Sequence, residues 1–190
     1  MEKKRIVVAM SGASGAILGI RLLQELQKAG IETHLILSRW AKKTIELETE
    51  YTAEDVCHLA DYVHSEENMA ACISSGSFQT DGMALVPCSM KTLAAVANGF
   101  SYNLIARAAD VTLKERRPLV IVPRETPLSS IHLRNMLSLS NDGAILLPPC
   151  IGFYSRPKDL NQAINHIVGK ILDEFHIAHQ LYKRWNGPEA

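Results

Sequence analysis

The sequence predicts an α/β fold: a parallel sheet with helices packed on both faces. Three observations predict it. Short apolar runs at 6–10, 83–86 and 119–122 carry no polar interruption, as strands do when both their faces are covered. Each run is followed by a turn of small or polar residues and then by a segment of helical periodicity. At 190 residues the chain has the size of one ordinary domain, expected to span 1–190 with a tail from 181.

The first strand is Ile6 to Met10, and Ser11-Gly12-Ala13-Ser14-Gly15 is the turn after it. A strand, a small-residue turn and a helix start make an anion site, because the first N–H groups of the helix point outward unpaired and the helix dipole favours negative charge. The expectation is a phosphate at 11–15, with hydroxyls from Ser11 and Ser14. The spacing Gly12-x-x-Gly15-x-x-x-Gly19 differs from the G-x-G-x-x-G of dinucleotide sites and from the triphosphatase loop, so a mononucleotide such as FMN fits better. The competing explanation is that the small residues only let helix and strand pack closely.

Helix 14–28 follows, with Leu18, Leu22 and Leu26 on one stripe and Gly30 as its stop. A second strand, 31–37, ends at Ser38, an N-cap site for helix 39–48. Thr52-Ala-Glu-Asp resembles a capping box and opens a short helix to Leu59. Residues 61–82 are polar and irregular and read as a surface excursion ending in a mobile loop. After strand 83–86 comes Pro87-Cys88-Ser89-Met90-Lys91-Thr92 and a helix through Ala97, which repeats the logic of the first strand end. In helix 103–116, Arg107 and Lys114 share one face with Asp110 between them, either a solvated ion-pair ladder or two cations aimed at a second anion.

Strand 119–122 ends at Pro123-Arg124-Glu125-Thr126-Pro127, where two charges stand at the carboxyl end of a buried strand. Helix 129–140, an Asp142-Gly143 turn, strand 144–147 and a stiff loop bearing Phe153 and Tyr154 come next. The closing helix starts near Lys158, with Leu160, Ile164, Ile167, Ile171 and Phe175 as its stripe and Lys170 off it. About five or six strands in this order make a flavodoxin- or Rossmann-like sheet. Ser14, Ser38, Ser89, Arg124 and Tyr154 all follow strands and are expected to converge on one sheet edge.

Composition narrows the function. Twenty basic residues balance twenty acidic ones, which argues against a broad electrostatic surface for nucleic acid or acidic membrane. No run of eighteen apolar residues and no signal-peptide pattern is seen, so a cytoplasmic protein is expected. Cys57, Cys72, Cys88 and Cys150 show neither C-x-x-C spacing nor a His partner at metal spacing, so reduced thiols and no metal are expected.

These motifs resemble those of UbiX-type flavin prenyltransferases. The resemblance rests on Ser-Gly-Ala-Ser-Gly-Ala at 11–16, Ser38, Glu48-Thr49, Ser-Ser-Gly-Ser at 74–77 and Pro-Cys-Ser-Met-Lys-Thr-Leu at 87–93. It continues through Arg-Ala-Ala-Asp-Val at 107–111, Leu-Lys-Glu-Arg-Arg-Pro-Leu-Val at 113–120, Pro-Arg-Glu-Thr-Pro at 123–127 and Gly-Phe-Tyr at 152–154. It implies transfer of a dimethylallyl group from dimethylallyl monophosphate to reduced FMN, at N5 and then C6, without a metal. The prenylated FMN would serve a partner UbiD-type decarboxylase, in quinone biosynthesis or in the decarboxylation of phenolic acids. The resemblance also implies that Gly12, Ala13, Ser14, Ser38, Ser89, Met90, Lys91, Thr92 and Arg124 bind FMN. Arg107, Lys114, Arg124, Tyr154 and Lys170 would hold the prenyl phosphate, and Ser14, Glu48 and Glu125 match positions linked to the chemistry. A dodecamer with sites between subunits is implied too, which moves Arg107, Lys114 and Lys170 from solvated faces into a pocket.

Two other functions fit the motifs less well. FMN-dependent cysteine decarboxylases share the fold, but they carry an Asn where Lys91 stands and a catalytic His that no motif here matches. A non-enzymatic flavin carrier would leave the prenyl-phosphate cations unexplained.

Overall fold

Parallel pairing dictates the plan of the chain, since each strand must be reached by a crossover. The computed structural model describes residues 3–185 and 187. Its strands are β1 (Arg5–Met10), β2 (Glu32–Leu37), β3 (Tyr62–Ser65), β4 (Gly82–Cys88), β5 (Leu119–Pro123) and β6 (Ile145–Leu146). Its helices are α1 (Ala16–Lys28), α2 (Arg39–Glu48), α3 (Ala53–Cys57), α4 (Met90–Ala97), α5 (Leu104–Lys114), α6 (Ser130–Asn141) and α7 (Leu160–Glu174). The six strands pair in the order β3-β2-β1-β4-β5-β6, every pair parallel. The chain winds outward from β1 to β3, then crosses back and starts again at β4. β1 and β4 therefore flank the point where the winding reverses, and ligands of such sheets bind outside the strand ends there.

Each face of the sheet has its own core. On one, Val8 and Met10 pack with α1 (Leu22, Leu26), α2 (Ile45) and α7 (Ile167, Ile171). On the other, Val7 and Ala9 pack with α4 (Leu93), α5 (Ile105, Ala109) and α6 (Leu139). Gly19 lets α1 lie close on the sheet: a Cβ there would stand 2.6 Å from the Val86 carbonyl oxygen and 2.9 Å from Met10.

The caps predicted at Ser38 and Thr52 are present, and others join them. The side chains of Ser38, Ser89, Asn103, Ser129 and Asp159 each accept from a backbone N–H of the helix they open, and Thr52 and Asp55 complete a capping box. α1 starts at Ala16 rather than Ser14, because Gly15 takes φ 104°, a left-handed conformation that ends the turn before the helix. α3 stops at Cys57, short of Leu59. The last strand has two residues where four were predicted. Leu160 is 70% exposed and leaves the stripe of α7, which otherwise buries Ile164, Ile167, Ile171 and the following Phe175. The stretch 61–82 is a larger correction. It holds β3, a 3-10 turn at Cys72–Ser74 and the first residue of β4 rather than a plain loop. Of the expected tail, residues 186 and 188–190 lie outside the described residues.

Candidate functional site

The turns after β1 and β4 are bolted together. The buried Ser11 hydroxyl donates to the Pro87 carbonyl (3.2 Å) and accepts from the Ser89 N–H (2.8 Å). Ser11 N–H also donates to the Pro87 carbonyl at 3.1 Å. Ser11 is 2% exposed, so its hydroxyl is a structural tie and not the ligand donor expected from the sequence. This tie is the physical reason that the two strand ends look alike. Beneath it the thiol of Cys88 is fully buried, and burial pushes its pKa well above the usual thiol range.

The start of α1 is already occupied by an anion from the chain itself. The carboxylate of Glu48, at the end of α2, accepts from the N–H groups of Gly15 (2.8 Å) and Ala16 (3.2 Å). Of the N–H groups expected to be bare at 11–15, that of Gly15 is therefore taken, while those of Gly12 and Ser14 have no partner among the described residues. Burial works against the charge on Glu48. The Ser14 hydroxyl, the two N–H groups and the nearby Arg124 outweigh it and hold the carboxyl below its ordinary value. Arg124 is fixed by its own N–H to the Cys88 carbonyl (3.1 Å), and its Nε points to the Ser14 carbonyl at 3.4 Å. Ser14, Glu48 and Arg124, singled out separately from the sequence, thus form one cluster at the mouth of β1 and β5.

A second carboxylate closes α2. Glu66 accepts from the Arg39 N–H (2.6 Å) and from the side chain of Asn103 (3.0 Å), which ties the starts of α2 and α5 together. Sequence reasoning missed Glu66, which stands in the irregular stretch with no motif around it. The start of α4 differs. Ser89 caps it through Thr92 N–H (3.4 Å), and the N–H groups of its first residues, Met90 and Lys91, have no partner among the described residues. Thr92 is buried with its hydroxyl 3.1 Å from that of Ser89, and Lys91 reaches over the Tyr102 ring. Ser38 lies beside this edge, its N–H on the Met10 carbonyl at 3.0 Å, while Ala13 is buried and Gly12 lies against Trp40. Glu125 is exposed and accepts from Thr126 N–H.

The remaining cations do not join this cluster within one chain. Arg107 and Lys114 ride on α5, on one face of the sheet. Arg107 pairs with Asp110 at 2.8 Å and donates to the Ser74 carbonyl, and Lys114 pairs with Glu115. Lys170 lies on α7, on the opposite face, 3.9 Å from Asp173. Tyr154 is exposed beside a cleft of about 1410 Å³ that it lines with Arg156, His166, Tyr182, Arg184 and Trp185. Asp173 anchors the segment after α7. Burial opposes its charge, but Arg184, Tyr182 and His179 hold the carboxyl far below the usual range, and Tyr182 is pushed up to about 12 by burial and by that carboxylate. The predicted convergence on one edge holds for Ser14, Ser38, Ser89 and Arg124, which the contacts join there; Tyr154, after β6, meets His166 and Trp185.

The flavoprotein family model matches residues 1–176. A probable UbiX-like flavin prenyltransferase of Bacillus subtilis (strain 168) is 55% identical over 187 residues, covering 98% of this chain and 92% of the relative. The chain belongs to the UbiX-like flavin prenyltransferase family. The crystal structure of the family member AnUbiX (PadA1), in complex with FMN and dimethylallyl pyrophosphate, superimposes with a TM-score of 0.97 at 54% identity, covering 99% of this chain and all of that one. A dodecameric FMN-dependent UbiX-like decarboxylase from Escherichia coli O157:H7 superimposes with a TM-score of 0.94 at 53% identity, over 96% of this chain and all of that one. The peptidyl-cysteine decarboxylase EpiD, at 19% identity and a TM-score of 0.62, shares the fold alone, over 80% of this chain and 84% of that one.

Proposed function

We propose that this protein joins the dimethylallyl group of dimethylallyl monophosphate to reduced FMN, at N5 and then C6. The observation that carries the site is the division of labour among helix starts. α1 and α2 spend N–H groups on the chain's own carboxylates, and α4, beside the reversal of the sheet, keeps two open. That donor set fits a phosphate. We therefore seat the FMN phosphate at Ser89, Met90 and Lys91, with Thr92 holding Ser89 in place. Gly12, Ala13, Ser14, Ser38 and Arg124 then border the flavin. FMN is the acceptor substrate here, and its reduced ring supplies the nucleophilic nitrogen and carbon.

Breaking the allylic C–O bond builds negative charge on the departing phosphate, and fixed cations stabilise it. Arg124, Arg107, Lys114 and Lys170, with the Tyr154 hydroxyl, are assigned that task. Since none of Arg107, Lys114 and Lys170 pairs with the cluster around Arg124 within one chain, we assign the site to the junction of subunits in a dodecamer. Ionised Glu48 and Ser14 order the turn against the flavin. Glu125 takes the proton that C6 must lose when the fourth ring closes. The product would pass to a UbiD-type decarboxylase. Residues 1–190 are taken as one flavoprotein domain, and the four free cysteines support a reducing, cytoplasmic setting.

Anaerobic incubation with reduced FMN and dimethylallyl monophosphate, followed by mass spectrometry of the flavin, tests this function. The expected result is a flavin heavier by one C5 unit. A flavin that binds but returns unchanged, with the allyl phosphate intact, would make the protein a carrier instead.

A further inference from the structure

Away from the reacting edge, β2 and β3 bring two imidazoles and a thiol together. His34 of β2 and His64 of β3 share a sheet face, with His34 opposite Tyr62 and His64 opposite Ile36 in the parallel register. Their Nδ1 and Nε2 atoms stand 2.9 Å apart. Cys72, on the 3-10 turn that packs over α5, completes the group, and the three ligand atoms lie within 4.8 Å of one another. His34 is 3% exposed, His64 half-buried and Cys72 exposed, so the cluster is open to solvent on one side only.

The surroundings preset the ligands. His34 Nε2 lies 3.1 Å from a carboxylate oxygen of Glu32, which Arg5 holds through its Nε. A carboxylate held ionised by an arginine accepts only, so Nε2 carries the proton and the lone pair on Nδ1 faces His64 and Cys72. Such a carboxylate behind a histidine is the usual second support of a zinc ligand. Burial lowers the pKa of His34, and burial with the neighbouring imidazole lowers that of His64, so both rings stay neutral and able to ligate. In a tetrahedral zinc site the ligand atoms stand about 3.3–3.6 Å apart, from Zn–N of about 2.0 Å and Zn–S of about 2.3 Å. The two nitrogens would part slightly and the exposed thiol would swing inward.

We propose that His34, His64 and Cys72 bind one zinc ion, with a water in the fourth position. Binding turns the Cys72 thiol into a zinc thiolate and releases one proton to solvent; no electron moves. The ion clamps the exposed edge of the sheet to the turn at Cys72–Ser74. It is assigned no part in prenyl transfer.

Equilibrium dialysis of the purified chain against zinc alone tests this, with cobalt as a spectroscopic substitute. One zinc per chain is expected, together with a thiolate-to-cobalt charge-transfer band and the visible bands of tetrahedral cobalt. Cys72→Ser and His64→Gln change residues at the surface of the cluster, so the fold should survive, and both should abolish stoichiometric binding and the charge-transfer band. Glu32→Gln should weaken zinc binding about 10- to 100-fold through the support it gives His34. A chain that takes up no zinc, a cobalt spectrum without the thiolate band, or equal uptake by wild type and both surface variants would overturn the proposal.

Discussion

Glu48 spends its charge on the start of α1, and the consequence can be read from stability against pH. A carboxylate whose native pKa lies below its unfolded value stabilises the fold above that unfolded value, and loses the effect as pH falls through the native one. For Glu48 the effect should be full above 4.5 and fade below it. Glu48→Gln should therefore be less stable than wild type by under about 1 kcal/mol at neutral pH, the side chain being well exposed, and the gap should close in acid. Urea unfolding at a series of pH values measures it. Glu125 offers a different test, because its proposed work is chemical and it has no tie to a neighbouring element among the described residues. Glu125→Gln should bind FMN normally and stall with a flavin alkylated at N5 only. A complete four-ring product formed at the wild-type rate would reduce Glu125 to a positioning residue.

Between elements, the Ser11 hydroxyl is the tie that matters most. Ser11→Ala leaves the Ser89 N–H without its acceptor and should cost about 1–3 kcal/mol, against under about 1 kcal/mol for Ser14→Ala, whose hydroxyl meets a solvated carboxylate. Denaturation midpoints of the two variants make the comparison, and Ser11→Ala should also weaken FMN binding by disturbing α4. The same contacts explain what could be read from the sequence. β1, β4 and β5 announce themselves as apolar runs and β2 by its alternation, and five helix caps sit where Ser, Asn and Asp stand before them. β3 has one neighbour, and Tyr62, Val63 and Ser65 are exposed, so no burial pattern marks it. The turn at 11–15 was legible as an anion site, but its occupant comes from 33 residues away and no local signal points to Glu48. Likewise His34, His64 and Cys72 are scattered along the chain, and only strand pairing brings them together.

At the scale of the molecule, the proposed junction site would take its α5 cations and its α7 cation from different subunits, so that each subunit would serve two sites. Arg107→Ala and Lys170→Ala proteins should each be nearly inactive. After dissociation and reassembly as a mixture, about one site in four should draw both intact residues from different chains and recover activity. If one chain supplied both residues to its own site, mixing would recover nothing. The four thiols also sort by depth. Cys72 and Cys150 are exposed, Cys57 is half-buried with its pKa raised by burial, and Cys88, beneath the tie between Ser11 and Ser89, is sealed with its pKa raised furthest. Reduced flavin meeting oxygen generates peroxide, and peroxide attacks thiolates rather than thiols. Were FMN seated at the start of α4 as proposed, Cys88 below it would be the sulfur kept protonated and out of reach. In air the chain should age from its surface inward, with the reacting end the last part to be damaged.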